Sequence, residues 1–250
     1  MVRANRALRS LAPALLVVMA SVFSLNLAAA EGAEERIREN LTAMVPGLEI
    51  TAVNDTEVDG FYEVRTNQDT VYVSADGRYV MVGQMLRLDP GEGVTNLTEA
   101  GRSGERREAL DTVSRDEMIT FSPEGEVRAS IYVFTDIDCG YCRQMHANMS
   151  GYHEYGIEVN YLAFPRGGAG RPGYTKAVSA WCADDRNDAM DRAKAGERIP
   201  ERSCDNPVDE QFELGRQIGV SGTPATLTEE GQLVPGYRQP ADMAQMLGLE

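Results

Sequence analysis

Lysine is nearly absent from this chain: Lys176 and Lys194 are the only two in 250 residues. With 39 acidic residues against 24 basic ones, the formal net charge is -15 and almost all positive charge is arginine. A chain of this balance is repelled by nucleic acid and by an anionic membrane surface, which argues against both as partners. Many acids with few lysines also fit a saline exterior that screens self-repulsion, so stability should rise between low and molar salt. No cysteine and no histidine precedes Cys139. The sixty or so residues from Glu31 onward therefore have nothing that reads as catalytic, and no metal-ligand cluster. A long uninterrupted apolar run is missing as well. Leu11 to Leu27 is mostly apolar, but Pro13, Ser21, Ser24 and Asn26 interrupt a stretch already short for a membrane span.

What that stretch does have is the layout of a secretory signal peptide. Arg3, Arg6 and Arg9 precede it, no acid occurs before Glu31, and Ala28-Ala29-Ala30 supplies small residues for cleavage. Residues 1–30 are therefore expected to be removed. Losing three arginines and no acid changes the formal charge from -15 to -18. About 220 residues remain, enough for one domain or two. Export places four cysteines in an oxidising compartment, where an even number suggests disulfides and a Cys-x-x-Cys suggests a redox enzyme.

Along the mature chain, Glu31 to Met44 reads as a short amphipathic helix on Ile37, Leu41 and Met44, ended by Pro46-Gly47. From Leu48 to Asp89 short runs rich in Val, Tyr and Thr alternate with turn residues at Asn54-Asp55, Thr66-Asn67 and Ala75-Asp76-Gly77. Asp76-Gly77 between two β-branched runs is a strong hairpin signal. A domain this small would be marginal alone, so a partner surface is expected, with strand edges pairing to a second copy in a two-fold dimer. Pro90-Gly91-Glu92-Gly93 reads as a break. Asn96 to Ser114 then reads as a polar helix, weakened by about 1 kcal/mol at each of Gly101 and Gly104 relative to alanine, and bridging solvent between two domains. Met118 to Phe121, Val127 to Thr135 and Glu158 to Phe164 read as strands. Helices are expected at Tyr174 to Asp184, Asn187 to Ala195 and Val208 to Ile218.

The chemistry concentrates where the β-branched run Ile131 to Thr135 enters Cys139-Gly140-Tyr141-Cys142 and a helix follows. A thiol at the first turn of a helix feels the positive end of the macrodipole and unpaired backbone N–H groups, so Cys139 is favoured as a thiolate. The two-residue spacer lets Cys142 reach back and release what Cys139 has captured, the minimal machinery of thiol-disulfide exchange. Cys-x-x-Cys is also half of a zinc site. The remaining cysteines, Cys182 and Cys204, are far apart rather than a second short-spaced pair, which disfavours a four-thiolate cage. Cys142, Met145, His146 and Met149 fall on one helical face. There His146 could tune the thiols as a nearby cation or simply pack, and the packing reading is favoured. Val220-Ser221-Gly222-Thr223-Pro224-Ala225 puts a proline at a strand entry, where a cis Thr223-Pro224 bond would leave adjacent backbone groups free for an extended substrate chain.

These residues resemble those of the periplasmic protein disulfide isomerases of the DsbC/DsbG type, over the whole mature chain. The likeness is carried by Phe134-Thr135-Asp136 before the dithiol, Tyr161-Leu162-Ala163-Phe164-Pro165-Arg166, Trp181-Cys182-Ala183, Gly219 to Ala225, and Leu233-Val234-Pro235-Gly236-Tyr237. The resemblance implies an α+β two-domain protein. A small N-terminal cystatin-like dimerisation domain (31–94) and a linker helix (95–117) would precede a C-terminal thioredoxin-like domain with a helical insertion (118–250). It implies a homodimer whose paired dithiols accept misfolded secreted proteins with non-native disulfides, and a membrane thiol-transfer reductant that keeps Cys139 and Cys142 reduced. By the same resemblance, Thr223 and cis-Pro224 flank the substrate with Gly140 and Tyr141, Cys182 and Cys204 form a structural disulfide, and no cofactor or metal is used.

Two departures stand out. Asp138 precedes the nucleophile, where a carboxylate opposes the thiolate by like charge. Six residues before Cys139, where thioredoxins carry a buried acid, this chain has Val133, so proton transfer at Cys142 needs another route. Two alternatives compete with an isomerase and reductase: a net thiol oxidase, which would rest oxidised, and a holdase chaperone, which would survive loss of both active cysteines.

Overall fold

The computed structural model of the chain describes residues 32–67, 69–91 and 93–249. The expected leader, residues 1–30, lies outside the described residues. The chain divides into two compact units between Thr98 and Glu99.

In the first unit, helix α1 (32–44) turns Ile37 and Leu41, one helical turn apart, onto an antiparallel sheet. Its strands β1 (Ile50–Asp55), β2 (Phe61–Thr66), β3 (Thr70–Ser74) and β4 (Val80–Val82) lie in chain order. Ile37, Leu41, Val64 and Val73 form the core, with Leu48, Ile50, Val53, Tyr62 and Val71 packed around it. Asp76-Gly77 turns β3 into β4 as the sequence suggests. Gly77 has a φ of +69°, and a Cβ there would stand 2.6 Å from Asn40 Nδ2 and 3.0 Å from the Arg36 carbonyl. Glycine thus serves both the turn and the close approach of α1, and Asn40 Nδ2 donates to the Gly77 carbonyl at 3.2 Å.

Two local expectations are corrected. Asn54-Asp55 does not turn the chain but ends β1, because Thr56 makes the turn itself. Its Oγ1 accepts from Val58 N at 3.1 Å and donates to the Phe61 carbonyl at 3.0 Å. Pro90-Gly91 is not a break between domains but the turn of a two-stranded ribbon, β5 (Leu86–Asp89) and β6 (Gly93–Asn96), paired from Leu86↔Asn96 to Asp89↔Gly93.

Helix α2 (Leu97–Leu110) is the expected polar helix, shorter at its C-terminus than Asn96 to Ser114. It is not a free rod. Leu110 is buried with Met118, Phe134, Leu162 and Ile218, and Arg106 Nε donates to the Ile218 carbonyl at 3.1 Å. Gly231, at φ +82°, stands so close to α2 that an added Cβ would meet the Ser103 carbonyl oxygen at 1.9 Å.

The second unit is built on a five-stranded sheet in the order β11-β10-β8-β9-β7. The strands are β7 (Ile119–Phe121), β8 (Ala129–Thr135), β9 (Ile157–Ala163), β10 (Ala225–Thr228) and β11 (Leu233–Pro235). β8 and β9 run parallel, and all other neighbours are antiparallel. Side chains alternate as a pleat demands. Ile131, Val133, Ile157, Val159 and Tyr161 enter one core cluster with Met145, Trp181 and Met190. Phe134 and Leu162 enter the other with Phe164, Ala225 and Leu227. Both faces being covered explains why every residue of β9 is buried.

The helices are α3 (Gly140–Ala147), α4 (Met149–Glu154), α5 (Pro172–Trp181), α6 (Arg186–Lys194), α7 (Val208–Gln217) and α8 (Pro240–Met246). The three expected after β9 are α5 to α7. The helix after the dithiol, expected to run through Met149, breaks at Asn148 (φ -101°, ψ 20°). Asn148 Nδ2 donates to the Gln144 carbonyl at 3.0 Å and to the Tyr237 hydroxyl at 2.9 Å, a side-chain bond that competes with continued helix.

Candidate active site

β8 is central and buried, so its C-terminal end is a fixed platform. From it Asp136 and Ile137, 6% and 2% exposed, lead to Cys139 at the N-cap of α3. Asp136 organises this corner. Its Oδ1 accepts from the Asp138 amide at 2.8 Å, and its Oδ2 from the Arg166 amide at 3.1 Å and Arg166 Nε at 2.9 Å. The Phe-Thr-Asp segment and the Phe-Pro-Arg segment, thirty residues apart in sequence, are thus tied at one point.

Cys139 and Cys142 are both buried. The Thr223–Pro224 peptide is cis, and the Thr223 carbonyl accepts from Cys139 Sγ at 3.2 Å. The buried Thr223 hydroxyl has no hydrogen-bond partner among the described residues, so it is available to donate to the sulfur once Cys139 ionises. Burial pushes the Cys139 thiol up, but hydrogen bonds from Thr223 and from the backbone and side chain of Cys142, with the Arg166 charge, hold it below the ordinary value. For Cys142 burial wins. Its thiol is pushed up despite the Lys194 charge and hydrogen bonds from the Asp136 backbone and the Thr135 side chain. The two thiols therefore differ: Cys139 ionises first and Cys142 holds its proton.

Gly140 and Tyr141 occupy the first turn of α3, with Tyr141 66% exposed beside the buried sulfurs. A cleft of about 200 Å³ lies along Gly219 to Ala225, Leu233, Pro235 and Gly236, with Thr223 and Pro224 in its lining. Asp138 is also in the corner, but its carboxylate is held by Lys176 Nζ at 2.6 Å and Arg143 at 3.3 Å. Its repulsion of the thiolate is met by two cations. Replacing Asp138 with asparagine removes the anion and leaves both cations, so the Cys139 pKa should fall. Thiolate absorbance followed against pH checks this, and an unmoved or raised midpoint contradicts it.

His146 does not face the thiols as a cation. Its Nδ1 lies 3.1 Å from the Tyr161 hydroxyl, its Nε2 2.9 Å from Asp191 Oδ1, and its ring packs edge-on to Phe121. Burial and the Lys194 charge push its pKa below the ordinary value against the pull of Asp191, so the ring is neutral near pH 7. Cys182, the C-cap of α5, and Cys204 are bonded to each other at a Cα separation of 5.7 Å.

The residues that sequence reasoning passed over are Thr135, Arg166 and Lys194. Arg166 belongs to the Phe164-Pro165-Arg166 motif, which by itself assigns it no role. Lys194 had a faint signal: it follows Met190 by four positions, on the same face of α6 as a fully buried side chain.

Both parts of the chain resemble known proteins. Residues 28–99 match the disulfide bond isomerase protein N-terminal domain, and residues 115–249 match the thioredoxin-like domain. The thiol:disulfide interchange protein DsbC of Salmonella typhimurium is 36% identical over 233 residues, covering 93% of each chain. That of Escherichia coli is 35% identical over 87% of this chain and 89% of its own. That of Dickeya dadantii is 34% identical over 92% and 94%. With a DsbC-type N-terminal domain before a thioredoxin-like domain that holds a strand-end dithiol, the chain belongs to the DsbC family of thiol:disulfide interchange proteins.

Proposed function

We propose that the chain rearranges wrong disulfides in secreted proteins, with Cys139 as the attacking thiolate and Cys142 as the resolving thiol. The observation that carries this is the placement of two buried thiols on the first turn of α3, with Cys139 Sγ 3.2 Å from the Thr223 carbonyl beside cis-Pro224, in surroundings that lower the Cys139 pKa and raise that of Cys142. Attack by the Cys139 thiolate on a substrate disulfide gives a mixed disulfide and frees a substrate thiolate. If another substrate thiol displaces Cys139, pairing has been rearranged. If Cys142 does so, the substrate is reduced and Cys139–Cys142 is left oxidised. An extended substrate segment fits along Thr223 and Pro224, with Gly140 and Tyr141 on the other side of the sulfur. No prosthetic group enters these steps, because the thiols carry the electrons themselves. Returning the oxidised pair to the dithiol requires a reductant, which we assign to a membrane thiol-transfer protein. The setting is the periplasm, reached through the leader at residues 1–30. Among the described residues, no helix is long and apolar enough to cross a membrane.

The first unit we assign to dimerisation. β4 is an edge strand, and Val80, Met81 and Val82 on it are exposed, Val82 by 78%. Leu86, Leu88 and Val94 of the β5–β6 ribbon are exposed as well. A bare apolar edge is an invitation to pairing, and a second copy satisfies it with closed two-fold symmetry. The test combines both assignments. The mature chain should restore native pairing in a scrambled multi-disulfide substrate faster than glutathione alone. A Val82→Lys chain should sediment as a monomer and lose most of that gain while still reducing simple disulfides. No gain over glutathione sinks the isomerase reading, and a monomeric variant that isomerises undiminished sinks the role of the dimer.

A further inference from the structure

We propose that Lys194, acting through the Thr135 hydroxyl, accepts the proton that Cys142 gives up when it resolves the mixed disulfide. This rests on the reading of Cys139 and Cys142 as the exchanging pair. It supplies the route for which β8 offers only Val133 at the position where a buried acid was expected.

Lys194 is the last residue of α6 and is 4% exposed. Its Nζ donates to Thr135 Oγ1 at 2.6 Å and to the Asp136 carbonyl at 3.1 Å, and lies 5.5 Å from the centre of the Tyr161 ring. Neither acceptor is a carboxylate. A buried ammonium held by neutral oxygens is costly to keep charged, and a chain that uses only two lysines has placed one here. Thr135 is 2% exposed and Cys142 1% exposed, so water does not reach this thiol freely. The Thr135 hydroxyl accepts from Lys194 Nζ at 2.6 Å, and the same side chain lowers the Cys142 pKa, so it stands between the thiol and the amine. The charged and titratable groups acting on Lys194 are Cys142, Asp136, Cys139 and Arg143, while His146, Tyr161 and Asp191 form the adjoining network. Burial brings Lys194 down to about 8 from an ordinary 10.5, so a useful fraction is neutral amine near pH 7.5.

In the step, Cys142 Sγ–H passes its proton to Thr135 Oγ1 as the Thr135 hydroxyl proton moves to Lys194 Nζ, which becomes the ammonium. The Cys142 thiolate attacks Cys139 Sγ, the Cys139–substrate S–S bond breaks, and the substrate sulfur leaves as a thiolate with the bonding pair. The enzyme dithiol loses two electrons and the substrate disulfide gains them. Lys194 touches neither sulfur of the bond that breaks, so it is a positioning residue for the proton rather than a nucleophile.

Lys194→Met and Thr135→Val test the relay by single-turnover release of substrate thiol from the mixed disulfide across pH. Both should slow release by about tenfold or more near pH 7.5, and Lys194→Met should lose the inflection near 8. Unchanged rates and profile in Lys194→Met overturn the proposal, and slowing in that variant alone overturns the passage through Thr135. A lysine depressed in the fold withholds stability fully below about 8 and returns it as pH rises from about 8 to 10.5. Methionine removes that cost, so the variant should fold. Should it not, wild type decides, since its two lysines give two separable 13Cε resonances. One midpoint near 8 that moves on oxidising Cys139–Cys142 supports the relay, and two near 10.5 overturn it. The underlying exchange reading is tested apart, by capture of substrate on a Cys142→Ser chain; failure there removes the exchange assignment itself.

Discussion

Replacing Cys139 with serine should reduce disulfide isomerisation to the rate of the glutathione buffer, whereas Cys142→Ser should keep the exchange completed by substrate thiols and accumulate a trapped mixed disulfide wherever none displaces Cys139. The asymmetry follows from the two environments. A serine hydroxyl at position 139 is not ionised at neutral pH even with the Thr223 hydroxyl and the α3 amides aimed at it, so attack falls by at least about a thousandfold. At position 142 a serine leaves the attacking sulfur in place and removes only the intramolecular escape. The pH dependence has a definite sign. Because the Cys139 pKa is lowered, its thiolate fraction saturates at a lower pH than that of a free thiol, and attack should plateau correspondingly early. Iodoacetamide alkylation against pH measures this in wild type, where the raised Cys142 thiol reacts later. Stabilising the Cys139 thiolate also favours the reduced enzyme and makes its disulfide more oxidising. Equal loss of activity in both serine variants, with no trapped species from Cys142→Ser, would contradict the division of roles.

Much of this site is legible in the sequence alone, because its signals are local. A β-branched run, a dithiol and a helix in succession fix Cys139 at a strand end, and Ala225 to Thr228 forms the strand that the sequence suggests after Pro224. The β3–β4 hairpin was legible for the same reason, since Asp76-Gly77 determines a turn by its own chemistry. The failures share a different cause. The β5–β6 ribbon escaped because Gly93-Val94-Thr95-Asn96 carries a single apolar side chain and Pro90-Gly91 looked like punctuation, although Leu86 and Leu88 alternate with Arg87 and Asp89. Asn148 breaks a helix whose apolar spacing runs straight through it, because its amide bonds Tyr237, a residue 89 positions away. The docking of α2 rests on a buried arginine bonded to a carbonyl 112 residues on, which a polar helix pattern does not announce. Arg166 and Lys194 are the functional cases. Each acts through a tertiary contact onto Asp136 or Thr135, and an arginine or lysine in an exported acidic chain reads first as a solvated surface charge.

Removing the Cys182–Cys204 bridge by a double alanine substitution should lower stability by about 3.4 kcal/mol. The bridge joins residues 22 positions apart, a loop of about 23 residues, and the chain-entropy cost of leaving such a loop open in the unfolded state gives that figure. It corresponds to a several-hundredfold change in the unfolding equilibrium. The effect should not be uniform across the insert. α6 carries Ala189, Met190 and Ala193 into the core and is held by burial of its own. Between α6 and α7 only Ile199 among the apolar residues is buried, so that segment depends most on the staple. Lys194 sits at the junction of the two, the last helical residue before the weakly packed stretch. Loss of the bridge should therefore open the C-terminal end of α6 first, admit water to Lys194, and let its pKa climb from about 8 toward 10.5. Urea unfolding of wild type and variant measures the global term, and hydrogen exchange over residues 190–204 measures the local one. A stability loss under about 1 kcal/mol would show that the reduced, unfolded chain is already compact across this loop. A full loss with unchanged exchange at residues 190–204 would mean that the bridge acts on the unfolded state alone and leaves the proton path beneath Cys142 untouched.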